Sequence, residues 1–340
     1  MLDDLKYIHH RDGQDALGIA EKQWQQLTYE FDLAPIKGDF SNVVYAGMGG
    51  SALAALLAHS WVGLDVPFEV NRQYQIPKYV SKETLFITSS YSGNTEETLS
   101  ALAEAETKGA RIVVIGSGGQ LEAIAKEKSY PLLVIPKAEQ PRYAVFYNFK
   151  ALLKILEQAG LVKNCDAELA RVSTFLKAAV EPWLPTVPAN ENPAKQLAME
   201  LAGKSIAIYG GPLMAPAAYK WKIGFNENAK NVAWWNELPE FDHNELTGWS
   251  SHPIQKPYGI VELRSKLEHP RVQRRFEVGE RMLSGRRPAP HVVEAQGEDL
   301  LEQLLWSVNY GDFVSIYVAL LNGVNPSPVD LVEKFKKALN

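Results

Sequence analysis

The sequence predicts an α/β protein of two domains with a related plan, each a parallel β-sheet between layers of helices. Short continuous apolar runs alternate with helix-like stretches from residue 42 onward, and the same strand–glycine–helix order begins again at residue 205. The length of 340 residues also exceeds one ordinary core and fits two domains. We place these domains at residues 1–155, with a leading helix, and 156–340, and we expect the C-terminal helices to pack back on them.

The first half supplies five predicted strands with helices between them. The strands are NVVYAG, PFEVN, TLFITSS, RIVVIGSGG and PLLVIP; the helices are SALAALLAHSW, NTEETLSALAEAETKGA, QLEAIAKEK, AVFYNFKALLKILEQAG and DAELARVSTFLKAAV. Continuous apolar runs of this length are typical of strands buried on both faces of a parallel sheet. The Pro-rich stretch at residues 181–193 is the best candidate for a linker or crossover.

The second half loosely repeats this order. SIAIYGGPLMAPAAYKWKIGF follows the same strand–glycine–helix logic as VVYAGMGGSALAALLAHSW, and the further predicted strands are NVAWW, GIVELR and HVVEA. The long apolar stretch LLEQLLWSVNYGDFVSIYVALLNG predicts a final helix of this half. One duplication is visible, which favours two related domains over a solenoid.

Composition excludes several classes of function. The hydrophobic content of 46% and charged content of 22% are those of a soluble globular protein. A formal charge of -5 argues against a nucleic-acid or anionic-membrane surface. The single cysteine, Cys165, can form neither an internal disulfide nor a cysteine-based zinc site. No apolar signal region opens the sequence and no stretch reaches the roughly 18–20 apolar residues that span a bilayer, so we expect a cytoplasmic protein.

The first glycine loop, GMGGSA at residues 47–52, follows a predicted strand and precedes a predicted helix. It satisfies the G-x-G-x-x-A dinucleotide fingerprint, and Glu69 supplies an acidic residue about 20 positions later. The backbone N–H groups of such a junction bind an anion, which can equally be the phosphate of a small metabolite. A purely structural glycine turn is the third interpretation.

A second stretch, ITSSYSGNTEET at residues 87–98, favours the phosphate of a small metabolite. Its strand runs into five hydroxyl-bearing residues between Ser89 and Thr95, and a helix follows. Hydroxyls and a helix N-terminus together satisfy the three oxygens of a phosphate monoester, whereas a dinucleotide site has no need of such a cluster. The alternative, that Ser92 or Thr95 is only an N-cap, requires one hydroxyl.

GMGGS followed by SYSGNTEET resembles the sugar isomerase (SIS) domain, a phosphosugar-binding α/β fold. The resemblance implies a five-stranded parallel sheet. It also implies that hydroxyl groups bind the phosphate; in this sequence they belong to Ser51, Ser90, Ser92 and Thr95. We add Gly49 and Gly50 to this predicted site, because glycine lets the backbone approach a ligand closely. The proline-containing second loop, residues 210–216, argues against a second phosphate site, so we expect one per subunit.

Three ionisable residues are candidates for catalysis. Arg142 follows the last strand of the first domain, Glu227 lies between two asparagines at a helix end, and His243 follows sixteen residues later in LPEFDHNE. Each also has an ordinary structural interpretation as a surface charge or a packed polar group. Metal binding by His243 with Asp242 and Glu245 lacks the second histidine four residues on, so we expect no metal.

From about residue 40 to its end, the chain resembles the bifunctional phosphoglucose/phosphomannose isomerases, through PRYA, NENAK, ELPEFDHNE and GDFVSIYVALLNGVNPSPVDLVEKFKKAL. The resemblance implies an aldose–ketose isomerase that interconverts glucose 6-phosphate and fructose 6-phosphate through a cis-enediolate without a cofactor. Glu227 would shuttle the proton, His243 would open the ring, and Arg142 would stabilise the enediolate. The active unit would be a homodimer in which His243 reaches the neighbouring subunit's site.

The same resemblance places a C-terminal lysine at the ring oxygen. We assign it to Lys336, because it follows an apolar residue, over Lys334 and Lys337. Use of mannose 6-phosphate stays open at this point. Two other classes compete: a dehydrogenase, suggested by the glycine fingerprint, and a non-catalytic phosphosugar-binding regulator. Residues 1–40 offer neither a basic face nor a DNA-binding domain, which disfavours the regulator.

Overall fold

The computed structural model describes residues 1–251 and 258–339. The chain divides into two compact units, Lys22–Phe175 and the combination of Met1–Glu21 with Leu176–Asn340. The first contains a five-stranded sheet and the second a four-stranded one, so we call them the five-stranded unit and the four-stranded unit.

The described residues form the following elements. The helices are α1 (Leu5–Arg11), α2 (Ala16–Lys22), α3 (Gly49–Trp61), α4 (Glu96–Thr107), α5 (Gly119–Glu127), α6 (Val145–Gln158), α7 (Asp166–Ala179), α8 (Pro193–Leu201), α9 (Ala215–Glu227), α10 (Glu240–His243), α11 (Glu245–Gly248), α12 (Pro270–Leu283), α13 (Leu300–Leu321) and α14 (Asp330–Leu339). The strands are β1 (Asn42–Ala46), β2 (Phe68–Asn71), β3 (Thr84–Ser90), β4 (Arg111–Gly116), β5 (Leu132–Val134), β6 (Ser205–Gly210), β7 (Ala233–Glu237), β8 (Tyr258–Arg264) and β9 (His291–Glu294).

The five-stranded sheet is parallel throughout, in the order β2-β1-β3-β4-β5. β1 and β3 are buried along their whole length, as their continuous apolar runs predict. Alternate residues such as Val44, Phe86 and Val114 pack with α4 and α5 on one face, while α3 and α6 pack together beside the sheet. The five-stranded parallel sheet that the resemblance implies is therefore confirmed.

The four-stranded sheet is also parallel, in the order β7-β6-β8-β9. This order repeats the first four positions of the other sheet, so the predicted pair of related α/β domains is confirmed. Ala207, Tyr209 and Ile260 pack with α10 and α12, and α9 packs on β6 and β7. In both sheets the strand order reverses beside the first strand of the unit, which creates a topological switch point at β1/β3 and at β6/β8.

Helix α13 is the central helix of the four-stranded unit. By length and mean hydropathy it could cross a membrane, but 94% of its apolar window is buried inside the protein. Two of its buried polar side chains have partners there: Asp312 forms an ion pair with Lys220 of α9, and the Asn309 amide donates to the Ala20 carbonyl at 2.9 Å. These contacts identify α13 as a core helix. The following helix, α14, is exposed at every residue from 330 to 339.

The compact units differ from the predicted division at residues 155 and 156 in where they place the N-terminus. Residues 1–21 pack in the four-stranded unit, where Tyr7 donates to the Leu320 carbonyl at 2.6 Å and Asp3 pairs with Lys195 at 3.0 Å. Such contacts join residues that lie far apart in the chain, so no local pattern predicts them. The division into domains at residues 155 and 156 itself stays a prediction.

The Pro-rich stretch at 181–193 is a packed segment of the four-stranded unit. Trp183 is buried, and its ring lies against Trp306 and Tyr310 with centroids 5.4 and 4.9 Å apart. Asn192 caps α8 by accepting from the backbone N–H of Lys195 at 3.0 Å. The compositional signature of a linker therefore marks a loop that aromatic packing and a helix cap hold in place.

Candidate active site

The carboxyl ends of β1 and β3 lie side by side, with Ala46 of β1 opposite Thr88 of β3. Ligands of doubly wound sheets bind outside the carboxyl ends of the strands at such a switch point. The two loops that begin here, β1–α3 and β3–α4, are the ones in which the sequence predicts the phosphate site. Both belong to the five-stranded unit.

Glycines allow the β1–α3 loop to approach its neighbours closely. A Cβ on Gly47 would lie 3.0 Å from the carbonyl oxygen of Ser89, and one on Gly50 would lie 3.1 Å from the carbonyl oxygen of Pro141. Gly49 has a φ of +50°, a conformation that glycine adopts without strain. Helix α3 starts at this glycine, two residues before the predicted start at Ser51, which is buried in its first turn. The first N–H groups of the helix have no partner within the helix and give this end its positive potential.

Three of the predicted phosphate ligands form a hydroxyl cluster in the β3–α4 loop: Ser90, Ser92 and Thr95. Ser90 Oγ lies 2.8 Å from Thr95 Oγ1 and 3.5 Å from Ser92 Oγ, and it accepts from the backbone N–H of Gly93 at 3.0 Å. Thr95 has the N-cap position of α4, yet its side chain makes no capping hydrogen bond. Its hydroxyl contacts Ser90 instead, so the capping interpretation does not account for it.

The other two hydroxyls of this stretch point away from the cluster. Ser89 donates to Asn148 Oδ1 at 3.0 Å in the buried interior, and the Tyr91 hydroxyl bonds to the backbone of Ala138. Ser89 and Ser90 diverge because successive side chains of a strand point to opposite faces of the sheet. The hydroxyl cluster is therefore smaller than the sequence suggests.

Arg142 lies in a short 3-10 turn after β5, Pro141–Tyr143, and only 1% of its surface is exposed. This burial contradicts its interpretation as a surface charge. Its backbone packs against the β1–α3 loop, because a Cβ on Gly50 would lie 3.3 Å from Arg142 Cα. Its guanidinium carbon lies 4.7 Å from the centroid of the Tyr143 ring, a cation–π contact. A buried cation thus lies beside the predicted phosphate loop.

A dinucleotide site requires an acidic residue at the carboxyl end of the second strand, and β2 has none at that position. Glu69 lies two residues before the end of this strand, is exposed, and accepts from the Tyr79 hydroxyl at 2.5 Å. The last residue of the strand is Asn71, whose amide donates to the Gln75 carbonyl at 3.1 Å. A ribose-binding carboxylate belongs at the carboxyl end of this strand, so the glycine fingerprint alone does not indicate a dinucleotide.

Glu227 is the last residue of α9, in the four-stranded unit, and is half-buried. The amides of its neighbours fix this helix end: Asn226 donates to the Asn231 carbonyl at 2.9 Å, and buried Asn228 donates to Ser315 Oγ at 2.9 Å. These bonds hold the backbone at Glu227 in one position.

The turn after Glu227 is held by the ammonium group of Lys230. Its Nζ donates to the carbonyl oxygens of Asn228, Asn325 and Pro326 at 3.2, 2.6 and 3.0 Å. Lys230 also has a φ of +52°, an unusual conformation for a residue with a side chain. The NENAK segment is therefore a constrained turn that presents Glu227 at the carboxyl end of α9.

His243 ends the short helix α10 and is exposed. Its neighbours attach this helix to the unit: the Phe241 ring is buried, and Asp242 forms an ion pair with Arg275 of α12 at 2.7 Å. The imidazole thus extends outward from a fixed segment, where a ligand or another chain can reach it.

The carboxylates beside His243 have other partners. Asp242 pairs with Arg275, and Glu245 accepts from the Tyr209 hydroxyl and, at 2.8 Å, from the Asn236 amide. Across residues 1–251 and 258–339, no three His, Cys, Asp or Glu side chains group so as to hold a metal ion.

Lys336 lies on the exposed helix α14, where its Nζ donates to Glu333 at 2.9 Å. Leu331 and Phe335 on the same helix are 81% and 64% exposed. An exposed helix with apolar side chains of this size gains most of its stability from a contact surface. The described contacts of α14 give Lys336 no fixed place beside another candidate residue.

The sequence missed one residue at the second switch point. Glu268, in the turn between β8 and α12, is buried and accepts from the backbone N–H of Leu213 at 2.8 Å, in the second glycine loop. A single glutamate in the polar segment SKLEHP carries no sequence signal of such a contact. The expectation of one phosphate site per subunit, based on the prolines of this loop, stays a prediction.

Comparisons with known proteins agree with this fold. Residues 39–161 match the SIS domain family, and residues 190–339 match the family described as the bacterial phospho-glucose isomerase C-terminal SIS domain. A crystal structure described as a glucose-6-phosphate isomerase like protein from Thermus thermophilus has the same fold, with a TM-score of 0.69 and 22% identity over 99% of this chain and 98% of that one. The chain is a protein of two SIS domains.

Relatives define the family more narrowly. The bifunctional phosphoglucose/phosphomannose isomerase of Caldicellulosiruptor bescii is 36% identical over 306 residues, 88% of this chain and 90% of its own. The enzyme of that name from Aquifex aeolicus is 32% identical over 320 residues, 93% of this chain and 94% of its own. The chain belongs to the bifunctional phosphoglucose/phosphomannose isomerase family, which confirms the resemblance found in the sequence.

Proposed function

We propose that the chain is an aldose–ketose isomerase that interconverts glucose 6-phosphate and fructose 6-phosphate and also converts mannose 6-phosphate. The supporting observation is the hydroxyl cluster at the switch point of a SIS-type sheet, in a chain of the bifunctional phosphoglucose/phosphomannose isomerase family. The glucose and mannose epimers give the same C1–C2 enediolate, in which C2 is planar. Both substrates are therefore compatible with one mechanism.

The phosphate end of the substrate binds in the five-stranded unit. Its oxygens accept hydrogen bonds from Ser51, from the hydroxyl cluster and from the first N–H groups of α3 at Gly49 and Gly50. The contacts between Ser90 and its neighbours keep these hydroxyls together before the substrate arrives, which lowers the entropic cost of binding. Neutral donors of this kind bind a phosphate group and release it in each turnover.

The proton transfers use the ionisable candidates. Glu227 takes the proton from C2 of the aldose and returns it to C1, because a carboxylate can hold and deliver the same proton. His243 moves the proton between the C1 hydroxyl and the ring oxygen during ring opening, and Lys336 assists at the ring oxygen. Arg142 stabilises the negative charge that develops on the enediolate oxygens.

The proposal includes three expectations about the protein's surroundings. No metal or organic cofactor takes part. The active unit is a homodimer to which each subunit contributes His243 across the interface, which agrees with the exposure of His243 at the end of α10. Activity from a mixture of Glu227→Gln and His243→Ala subunits would support this sharing, and a lack of activity after proven subunit exchange would contradict it.

The expected cytoplasmic location can be tested by cell fractionation.

The test of the reaction follows conversion of fructose 6-phosphate by coupling to glucose-6-phosphate dehydrogenase, with a chelator present. We expect turnover by the wild type, and a loss of about 10³-fold in kcat for Glu227→Gln, because general-base catalysis contributes this order of magnitude. Binding of the sugar phosphate, measured by calorimetry, should stay unchanged in that variant. Glu277→Gln, an exposed change on α12 of the same unit, is the matched control and should keep full activity.

Two results would reject the proposal. Sugar-phosphate binding without turnover by the pure wild-type protein would instead indicate the non-catalytic regulator. Micromolar binding of NADH would restore the dehydrogenase hypothesis.

A further inference from the structure

The β6–α9 loop of the four-stranded unit is the counterpart of the β1–α3 loop. It begins at the carboxyl end of β6, whose neighbours are β7 and β8, where the strand order reverses. Doubly wound sheets bind ligands outside such a point. The proposed isomerase reaction makes no use of this loop.

The β6–α9 loop binds a carboxylate of the same chain. Glu268 is 4% exposed, and its Oε1 accepts from the backbone N–H groups of Leu213 at 2.8 Å and Met214 at 3.3 Å. A Cβ on Gly211 would lie 2.4 Å from the same oxygen, so only glycine at this position lets the carboxylate reach the backbone. A glycine next to converging backbone N–H groups is the arrangement by which protein loops bind oxyanions.

Glu268 comes from the turn that corresponds to the β3–α4 loop. In the five-stranded unit, that loop contributes the hydroxyl cluster. In the four-stranded unit, the buried Ser265 hydroxyl donates to Gln303 at 2.5 Å and accepts from the backbone N–H of Leu267 at 3.0 Å. The turn thus contributes an acceptor to the neighbouring loop where its counterpart contributes donors.

We propose that residues 210–214 form a second oxyanion-binding loop whose built-in ligand is Glu268, so that the carboxylate takes the place of a phosphate group and the chain binds one sugar phosphate. The ligand class of the loop, once the carboxylate is removed, is inorganic phosphate or a small phosphate monoester. The proposal does not depend on the isomerase reaction, because it concerns which oxygen atoms the loop binds.

Nearby charge sets how tightly the loop can hold an external anion. Burial raises the pKa of Glu268 to about 7, the two backbone N–H groups oppose this rise, and the carboxylate of Glu237 adds to it. Glu237 is the last residue of β7, whose carboxyl end is next to that of β6. A phosphate group in this loop would meet the same repulsion, so we expect it to bind more weakly than at the hydroxyl cluster.

The test counts inorganic phosphate bound per chain by equilibrium dialysis. Glu268→Ala should bind one more phosphate than the wild type, and Glu268→Ala with Glu237→Gln should bind that extra phosphate more tightly, because a like charge has been removed. Glu268→Gln is the matched control: its amide fills the same space and keeps an oxygen for the two N–H groups, so its phosphate count should equal that of the wild type.

Equal phosphate counts in folded Glu268→Ala and the wild type would overturn the proposal. If Glu268→Ala fails to fold, amide ¹H–¹⁵N spectra of the wild type decide. The Leu213 and Met214 amides should shift together as the Glu268 carboxyl group titrates, and their shifts should vanish in Glu268→Gln. Leu213 and Met214 amides that stay still during this titration would likewise overturn the proposal. Neither the phosphate count nor the amide shifts require turnover, so a failure of this proposal can be distinguished from a failure of the isomerase assay.

Discussion

The two switch points of this chain have the same strand order and opposite donor–acceptor chemistry. At β1/β3, a glycine loop and three hydroxyls supply hydrogen-bond donors, and the buried Arg142 lies beside them. At β6/β8, an equivalent glycine loop already has an acceptor, the Glu268 carboxylate. The comparison teaches that backbone geometry makes an anion site available, while the side chains of the next loop decide whether an external anion can use it.

The largest expected effect comes from the crowded backbone of the β3–α4 loop. Gly93 has a φ of +69°, and a Cβ there would lie 1.8 Å from the carbonyl oxygen of Gly118. Gly93→Ala should therefore lower the free energy of unfolding by about 4 kcal/mol, from left-handed backbone strain plus overpacking, and should raise KM for fructose 6-phosphate. Urea unfolding and the coupled assay measure both effects.

Gly109→Ala is the matched control for Gly93→Ala. Gly109 has the same φ of +69°, but no atom lies within 4 Å of the added Cβ. Gly109→Ala should lower the free energy of unfolding by about 1 kcal/mol, which is the cost of the backbone conformation alone, and should leave KM unchanged. Equal losses in the two variants would show that the close approach to Gly118 is unimportant for the phosphate loop.

The next effect is a pH dependence of stability that belongs to the second switch point. Because burial raises the pKa of Glu268 from 4.5 to about 7, the folded state holds a proton that the unfolded state has lost between these pH values. The contribution of Glu268 to the free energy of unfolding is present below pH 4.5 and is lost as the pH rises to about 7. It amounts to about 3 kcal/mol for this one group.

Glu268→Gln should remove that pH dependence. Urea unfolding at several pH values should give a curve for the variant that is flatter than the wild-type curve over this interval. The exposed Glu277→Gln on α12 should leave the wild-type curve unchanged, since its carboxylate is 56% exposed and pairs with Arg274 on the surface. Parallel curves for the wild type and Glu268→Gln would contradict the assigned environment of Glu268.

Much of the first switch point could be predicted from the sequence, because its features are local. Apolar runs predicted the buried strands, and five hydroxyls in seven positions predicted a phosphate loop whose hydroxyl cluster the structure contains. Which of those hydroxyls join the cluster was harder to predict. Strand alternation turns Ser89 into the interior, and the Tyr91 hydroxyl bonds to the backbone of Ala138. The burial of Arg142 and the docking of residues 1–21 depend on tertiary packing that no local pattern records.

The second switch point could be predicted only in part. Its prolines predicted a loop without a phosphate, which stays a prediction, and the carboxylate that contacts this loop belongs to Glu268, 54 residues beyond Met214. A carboxylate that accepts from backbone N–H groups has no fixed spacing from them in the sequence, unlike a helix cap. The role of a lone polar residue becomes visible only once the fold places it.

A smaller effect compares the same deletion at both switch points. Ser90→Ala removes a hydroxyl that contacts Thr95 Oγ1 at 2.8 Å. A phosphate group at the predicted site would therefore lose one hydrogen-bond donor. We expect a loss of about 2 kcal/mol in binding, or roughly 30-fold in KM for fructose 6-phosphate, with kcat little changed. Ser265→Ala removes a similarly buried hydroxyl from the equivalent loop and should lower the melting temperature without changing KM. A rise in KM for both variants would remove the distinction between the two loops.

The smallest effect concerns the negative charge next to the hydroxyl cluster. Glu97 lies in the first turn of α4, where it complements the helix dipole but would repel a phosphate group at the predicted site. Glu97→Gln should therefore lower the free energy of unfolding by about 0.5 kcal/mol and lower KM about twofold. The variant would be less stable but would bind the substrate more tightly. Glu168→Gln in the first turn of α7 should show only a loss of stability, because α7 begins next to the last turn of α6, whereas the predicted phosphate site lies near the start of α6 at Arg142. High salt should reduce the KM change, since the Glu97 carboxylate is only half-buried and salt screens it. A KM change that persists undiminished in high salt would mean that Glu97 shapes the loop rather than its potential.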